Sequence, residues 1–150
     1  MGIIKPTLSI TANASTYTPS ADAGPLSIAL SLSATDSLDV TAVQSKIVSP
    51  TVADDQVLWD EAAFTDGAET SGTDGGFVYV KNLHASYNIL IGHKASTAAL
   101  EADGAADRLM TLKPGEFAWF PWDFTADLIM DAVGGTATNG LESWVFTRTQ

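Results

Sequence analysis

The sequence predicts an all-β protein, a β-sandwich of jelly-roll-like character with about nine or ten strands and little helix. Three observations carry this. Short apolar runs recur between Gly/Pro/Asn/Asp turn signals, most clearly from Gly76 onward. Several runs alternate with a period of two, the periodicity of a half-buried strand. One stretch alone, residues 95–107, has a helical composition, and Gly104 interrupts it, leaving a turn or two of helix or a loop.

The elements follow in order. Residues 1–7 read as an arm, because Lys5-Pro6 breaks a regular start. Leu8, Ile10 and Ala12 then fall on one side of a strand, and Pro19, Gly24 and Pro25 mark a turn region. Leu26, Ile28, Leu30 and Leu32 share a face opposite Ser27, Ala29, Ser31 and Ser33, the clearest strand in the chain. Residues 38–48 read as a strand with a bulge near Thr41-Ala42, ended by Ser49-Pro50, and residues 57–59 as a short strand. Residues 60–76 form a long acidic loop rich in Gly and Thr, of a length that usually signals function or mobility.

Beyond it, Phe77, Tyr79 and Lys81 point one way and Val78 and Val80 the other. Residues 82–86 turn the chain into a strand over 87–91, closed by Gly92. Residues 110–112 lead into Lys113-Pro114-Gly115-Glu116, which fits a type II turn with Gly at the positive-φ position. Residues 116–121 return as its hairpin partner. Residues 127–132 form a strand, 134–140 a Gly/Thr loop, and 141–149 a last strand setting Trp144 and Phe146 against Glu142, Val145 and Arg148.

The bulk numbers bound the function. A chain of 150 residues, 45% apolar and 17% charged, is most economically one domain with a core of its own. We take residues 1–8 as the arm and 9–150 as the domain. A net charge of −11 argues against nucleic acid and against an anionic membrane, since both are bound by Lys and Arg. Ten acids face only Lys5 and Lys46 in residues 1–80, which reads as a solvated repulsive face or as a patch for a basic partner. With no cysteine there are no disulfides, thiolate nucleophiles or Cys-ligated metals. No signal peptide or membrane-spanning run is visible, and the sequon at Asn13 reads as chance.

Catalytic patterns are lacking. The two histidines, His84 and His93, read as loop or strand-end residues, and there is no Gly-x-Ser-x-Gly elbow and no phosphate loop. A metal held by both histidines needs a third ligand and adjacent strands. Asp66, Glu69 and Asp74 crowd a Gly-rich loop where Ca²⁺ is conceivable, but a solvated loop explains them as well. Adjacent pairs such as Asp54-Asp55 and Asp60-Glu61 would face opposite sides of a strand rather than a shared substrate. No catalytic, cofactor or metal site is therefore expected.

The densest feature is aromatic: Phe117, Trp119, Phe120, Trp122 and Phe124. Phe117 and Trp119 share one face of a strand and Phe120 takes the other, so both faces carry large apolar groups. Core on both sides, or core plus a subunit interface, accounts for this. A sugar-stacking platform is the functional alternative, to which Trp59 and Trp144 could contribute.

The order Gly76-Phe-Val-Tyr-Val-Lys-Asn82, Tyr87-Asn-Ile-Leu-Ile-Gly92 and Leu112-Lys-Pro-Gly-Glu-Phe-Ala-Trp-Phe-Pro121, followed by a terminal strand, resembles small virion structural proteins of tailed bacteriophages. The resemblance covers roughly the C-terminal half, and its motifs are turn punctuation rather than catalytic signatures. It implies a non-enzymatic β-sandwich subunit, most like a capsid decoration (cement) protein. Such a subunit would clamp the major capsid protein on the virion surface after synthesis in the host cytoplasm, often as a trimer or other homo-oligomer, without cofactors. On this reading Ile3, Ile4 and Lys5 belong to a docking arm, and Trp119, Phe120 and Trp122 are buried or interfacial anchors. The rival readings are a tail, neck or fibre component binding a host-surface glycan, and a β-sandwich hydrolase with an unrecognised carboxylate pair.

Overall fold

The structure is a computed structural model. It describes residues 2–4, 7–11, 27–31, 38–40, 42–53, 56–64, 75–93, 100 and 107–147, with side-chain placement from Val43 onward. The chain divides into two compact units, Met1–Asp39 and Val40–Gln150. The expected helical turns at 95–107 fall outside the described residues except for Leu100 and Asp107, as does most of the 60–76 loop.

Among the described residues there are twelve strands and no α-helix. The surplus over nine or ten has a local cause. The expected strand at 38–48 is two, β4 (Leu38–Val40) and β5 (Ala42–Val48), and the N-terminal segment carries a strand of its own, β1 (Gly2–Ile4), paired with β4. In the first unit, β2 (Thr7–Thr11) pairs antiparallel with β3 (Ser27–Ser31), Leu8 opposite Leu30 and Ile10 opposite Ile28.

The second unit contains two antiparallel four-stranded sheets. Its other strands are β6 (Gln56–Trp59), β7 (Gly76–Asn82), β8 (Asn88–His93), β9 (Arg108–Leu112), β10 (Phe117–Trp122), β11 (Leu128–Val133) and β12 (Leu141–Thr147). One sheet runs β10-β7-β12-β5 and the other β6-β11-β8-β9. The pairings β5 with β12, β6 with β11, β7 with β10 and β8 with β9 are nested like the two arms of one long hairpin.

Between the sheets lies one apolar core. Val78, Val80, Leu141 and Val145 come from one sheet, and Leu58, Ile89, Ile91, Leu112, Leu128 and Met130 from the other. This is the inward half of each alternation, and burying it is the main favourable term in the fold. One buried polar pair links the two sheets: Trp59 Nε1 donates to Ser143 Oγ at 2.7 Å across the sandwich. The Lys46 ammonium sits 4.0 Å from the centre of the Trp59 ring, and burial holds its pKa below the ordinary 10.5. An aromatic cluster closes one end. Phe64 packs against Trp59, Trp122 and Phe124 at centroid distances of 5.8, 5.5 and 5.2 Å. Phe124 is held at φ 58°, a conformation that packing of its ring among these neighbours must offset.

Two sequence expectations are corrected. Gly115 does take a positive φ, 81°, within a Lys113–Glu116 turn closed by a 2.9 Å backbone bond. The strands on either side of it, however, do not form a hairpin. β9 pairs with β8 and β10 with β7, so the turn is a corner passing from one sheet to the other. In β12, Trp144 and Phe146 share their face with Glu142, whereas Val145 joins Leu141 and Ser143 inside.

Asn82 holds the corner. Its side chain is fully buried, and Nδ2 donates to the Tyr87 and Leu112 carbonyls, each at 2.9 Å. Its Oδ1 accepts from the His84 backbone N–H at 2.9 Å. Its own backbone N–H donates to the Glu116 carbonyl and its carbonyl accepts from Gly115. One residue thus ties the ends of β7 and β9, the start of β8 and the sheet-to-sheet turn. Replacing Asn82 by Ala strands two carbonyls and an N–H, and we expect a loss of about 3 kcal/mol, or roughly 10 °C in Tm. Asn82→Asp should cost more at neutral pH than in acid. A carboxylate facing two carbonyl oxygens has its pKa raised, so its tolerance is lost as pH rises through that value. Thermal melts of both variants across pH check this.

Candidate functional site

The outward half of the same alternation is not polar. On the β10-β7-β12-β5 sheet the registers place three cross-strand rows on the outer face. The middle row is Trp119, Tyr79, Trp144 and Ser45; one flanking row is Phe117, Lys81, Glu142 and Ile47; the other is Pro121, Phe77, Phe146 and Val43. Phe117, Ile47 and Val43 are exposed at 55%, 58% and 46%, and Trp144 at 36%. The rings order one another. Trp119 stacks on Phe77 at 5.5 Å and meets Phe146 at 5.0 Å, Tyr79 meets Phe117 at 6.0 Å, and Trp144 stacks on Phe146 at 6.4 Å. Cross-strand aromatic pairs of this kind fix the rotamers, so the platform is rigid before anything binds.

Charge on this face is sparse and balanced. Lys81 and Glu142 are direct cross-strand partners, and Trp144 Nε1 donates to Glu142 Oε1 at 2.9 Å. Burial, and then the negative charge of Glu142, push the Tyr79 phenol above its ordinary 10.0. The face is thus an exposed apolar patch of ordered rings with one polar corner, a feature that marks interaction sites in folded proteins.

The sequence-predicted residues separate by parity. Trp119 lies on this outer face. Phe120 points the other way and packs against the core, and Trp122 is a core residue, 7% exposed, with Nε1 donating to the Ala126 carbonyl at 3.0 Å. Trp59, weighed as a platform residue, is buried between the sheets. Ile3 and Ile4 lie in β1, whose backbone alone is described, and Lys5 lies outside the described residues. Tyr79, Trp144 and Phe146 were not singled out as a joint surface. The available signal was segregation within strands: aliphatic residues take one parity and aromatic residues the other in both β7 and β12.

The remaining chemistry is limited. His84 Nδ1 accepts from the Ser86 and Tyr87 backbone N–H groups at 3.2 and 2.9 Å, and its ring stacks on Tyr87 at 4.5 Å. The six-residue β8 separates it from His93, a span of about 17 Å, so the strand that follows the turn carries the two histidines apart. Among the described residues no group of three or more His, Asp or Glu side chains could hold a metal ion. Asp66, Glu69, Asp74, Asp54 and Asp55 fall outside the described residues. Asp60 accepts from Ala62 N–H at 3.0 Å and Asp127 from Glu61 N–H at 3.0 Å, so each anchors backbone. A groove of about 420 Å³ at one end of the sandwich is lined by His93, Phe120, Trp122, Asp123 and Thr125 among others. There the Asp123 carboxylate accepts from both the N–H and the hydroxyl of Thr125.

No protein-family model, no curated protein and no solved structure matches the chain.

Alkaline titration should show Tyr79 ionising above 10.0, with its proton held by the fold and stability lost as pH rises through that point. Glu142→Gln should lower the value only in part, because burial is the larger cause. Tyrosinate absorbance of the native chain against Tyr79→Phe reads both.

Proposed function

We propose that the protein is a non-enzymatic structural subunit of a tailed-bacteriophage virion, a capsid decoration (cement) protein that binds the major capsid protein and braces the shell. The observation that carries the reading is the aromatic outer face of the β10-β7-β12-β5 sheet. Its ordered rings offer area to a neighbouring subunit of an assembly at little entropic cost, as a structural protein that works by association requires. The turn-and-strand order that resembles virion proteins supports it as well, since Asn82 and the Lys113–Glu116 turn of that motif meet at one corner.

The fold we propose is a jelly roll. In its support, the eight strands from β5 to β12 pair as first with eighth, second with seventh, third with sixth and fourth with fifth. Folding such a four-pair hairpin over on itself yields the two observed strand orders. Jelly rolls serve in capsids and in lectins alike, so the fold does not choose between them.

In this reading residues 1–8 are the docking arm, with Ile3, Ile4 and Lys5 adding backbone and side-chain contacts to the shell. The subunit acts as a homo-oligomer on the capsid surface, where several weak contacts add by avidity. It needs no cofactor, nucleic acid or membrane. A glycan-binding tail or fibre role is the second reading, favoured by one observation: Trp144 and Tyr79 lie beside the polar pair Lys81 and Glu142, a mix that suits stacking on a sugar ring.

Sedimentation of the purified chain with shells of the cognate major capsid protein tests the proposal. We expect the chain to pellet with the shells, and deletion of residues 1–8 to weaken binding about tenfold or more. Failure to pellet, with quenching of tryptophan fluorescence by host-surface oligosaccharides, would favour the second reading.

A further inference from the structure

We infer that the aromatic face is a two-fold, self-complementary interface whose occupant is a second copy of this chain. The inference rests on the reading of this face as a protein-binding surface and leaves the shell to other parts of the molecule.

Charge gives the first argument. The chain carries −11, so two copies repel wherever their acidic surfaces meet. The twelve positions of the face hold one lysine and one glutamate, a net of zero. A second copy can therefore approach this face without the like-charge penalty that the composition imposes elsewhere.

Register gives the second. Lys81 and Glu142 stand opposite each other on the neighbouring central strands β7 and β12. A two-fold axis parallel to the strands and midway between β7 and β12 exchanges these columns and keeps the rows. It sets Lys81 against Glu142 of the second copy, and Glu142 against its Lys81. The same operation lays Tyr79 on Trp144 and Phe117 on Ile47. Every contact occurs twice, as an isologous interface requires. Two sheets can pack face to face in this way within about 30° of alignment.

Size sets the strength. With strands about 4.8 Å apart and same-face residues about 6.8 Å apart, the face covers on the order of 400 Å² per copy. That is about half of a standard specific interface, so the free dimer should be weak, with a Kd on the order of 10 μM or above. Such a contact suits a subunit held at high local concentration on an assembly.

Charge reversal tests this on the full chain. Sedimentation equilibrium of the wild type should show a monomer–dimer equilibrium. Lys81→Glu brings acid to acid at two places, and Glu142→Lys brings base to base at two places. Each alone should weaken the dimer about tenfold or more. An equal mixture of the two variants restores both attractions, so a heterodimer within about threefold of wild-type affinity is expected. Melting curves of the single variants establish that they fold. A wild type that stays monomeric up to about 1 mM, a trimer, or a dimer indifferent to both reversals would overturn the inference. Dimerisation of this pattern in a chain that ignores capsid shells would uphold it while removing the virion reading. Shell binding by a chain that stays monomeric would overturn it and leave that reading standing.

Discussion

The buried carboxamide of Asn82 is the constraint on which the sandwich depends. Two strands that end near each other on different sheets have no ladder to align them, because ladder bonds run only within a sheet. Asn82 supplies the missing alignment with two donors and one acceptor, all used. The Leu112 carbonyl it grips lies thirty residues away at the end of β9, and the Gly115–Glu116 turn closes onto its backbone. With that corner set, β10 must start beside β7, and the nested pairing of the remaining strands follows.

Setting the register also sets every side chain's face, since a slip of one residue would turn the sheet inside out. In β7, Val78 and Val80 go inward while Phe77 and Tyr79 go outward; in β12, Leu141 and Val145 oppose Trp144 and Phe146. In these two strands the aliphatic groups go to the core and the rings to the outer face. Only the inward set is needed to close the core. The outward rings gain from stacking on one another but keep apolar surface in water, as patches that mark interaction sites do.

Much of this was legible in the sequence wherever local chemistry decides. Period-two alternation located β3 and β7, and Pro114-Gly115 announced a turn with a positive φ. What lay beyond reach was long-range. The same four turn residues serve a hairpin or a corner, and the choice belongs to Asn82, far away in the chain. The aromatic run at 117–122 was visible as a cluster, but sorting Trp119 from Phe120 and Trp122 into platform and core needed the partner strands. The platform itself draws Tyr79, Trp144 and Phe146 from two other strands, so no single segment displays it.

The most direct test of a sheet with one face for the core and one for a partner is to compare neighbours in β10. Trp119→Ser and Phe120→Ser, measured side by side for unfolding free energy and solution mass, each remove one ring from opposite faces of the same strand. Phe120→Ser should lose about 2–3 kcal/mol of stability and still associate once folded. Trp119→Ser should lose less, on the order of 1 kcal/mol for its ring contacts with Phe77 and Phe146, and should lose association. Equal destabilisation by both, with association unchanged in Trp119→Ser, would contradict that division of the faces.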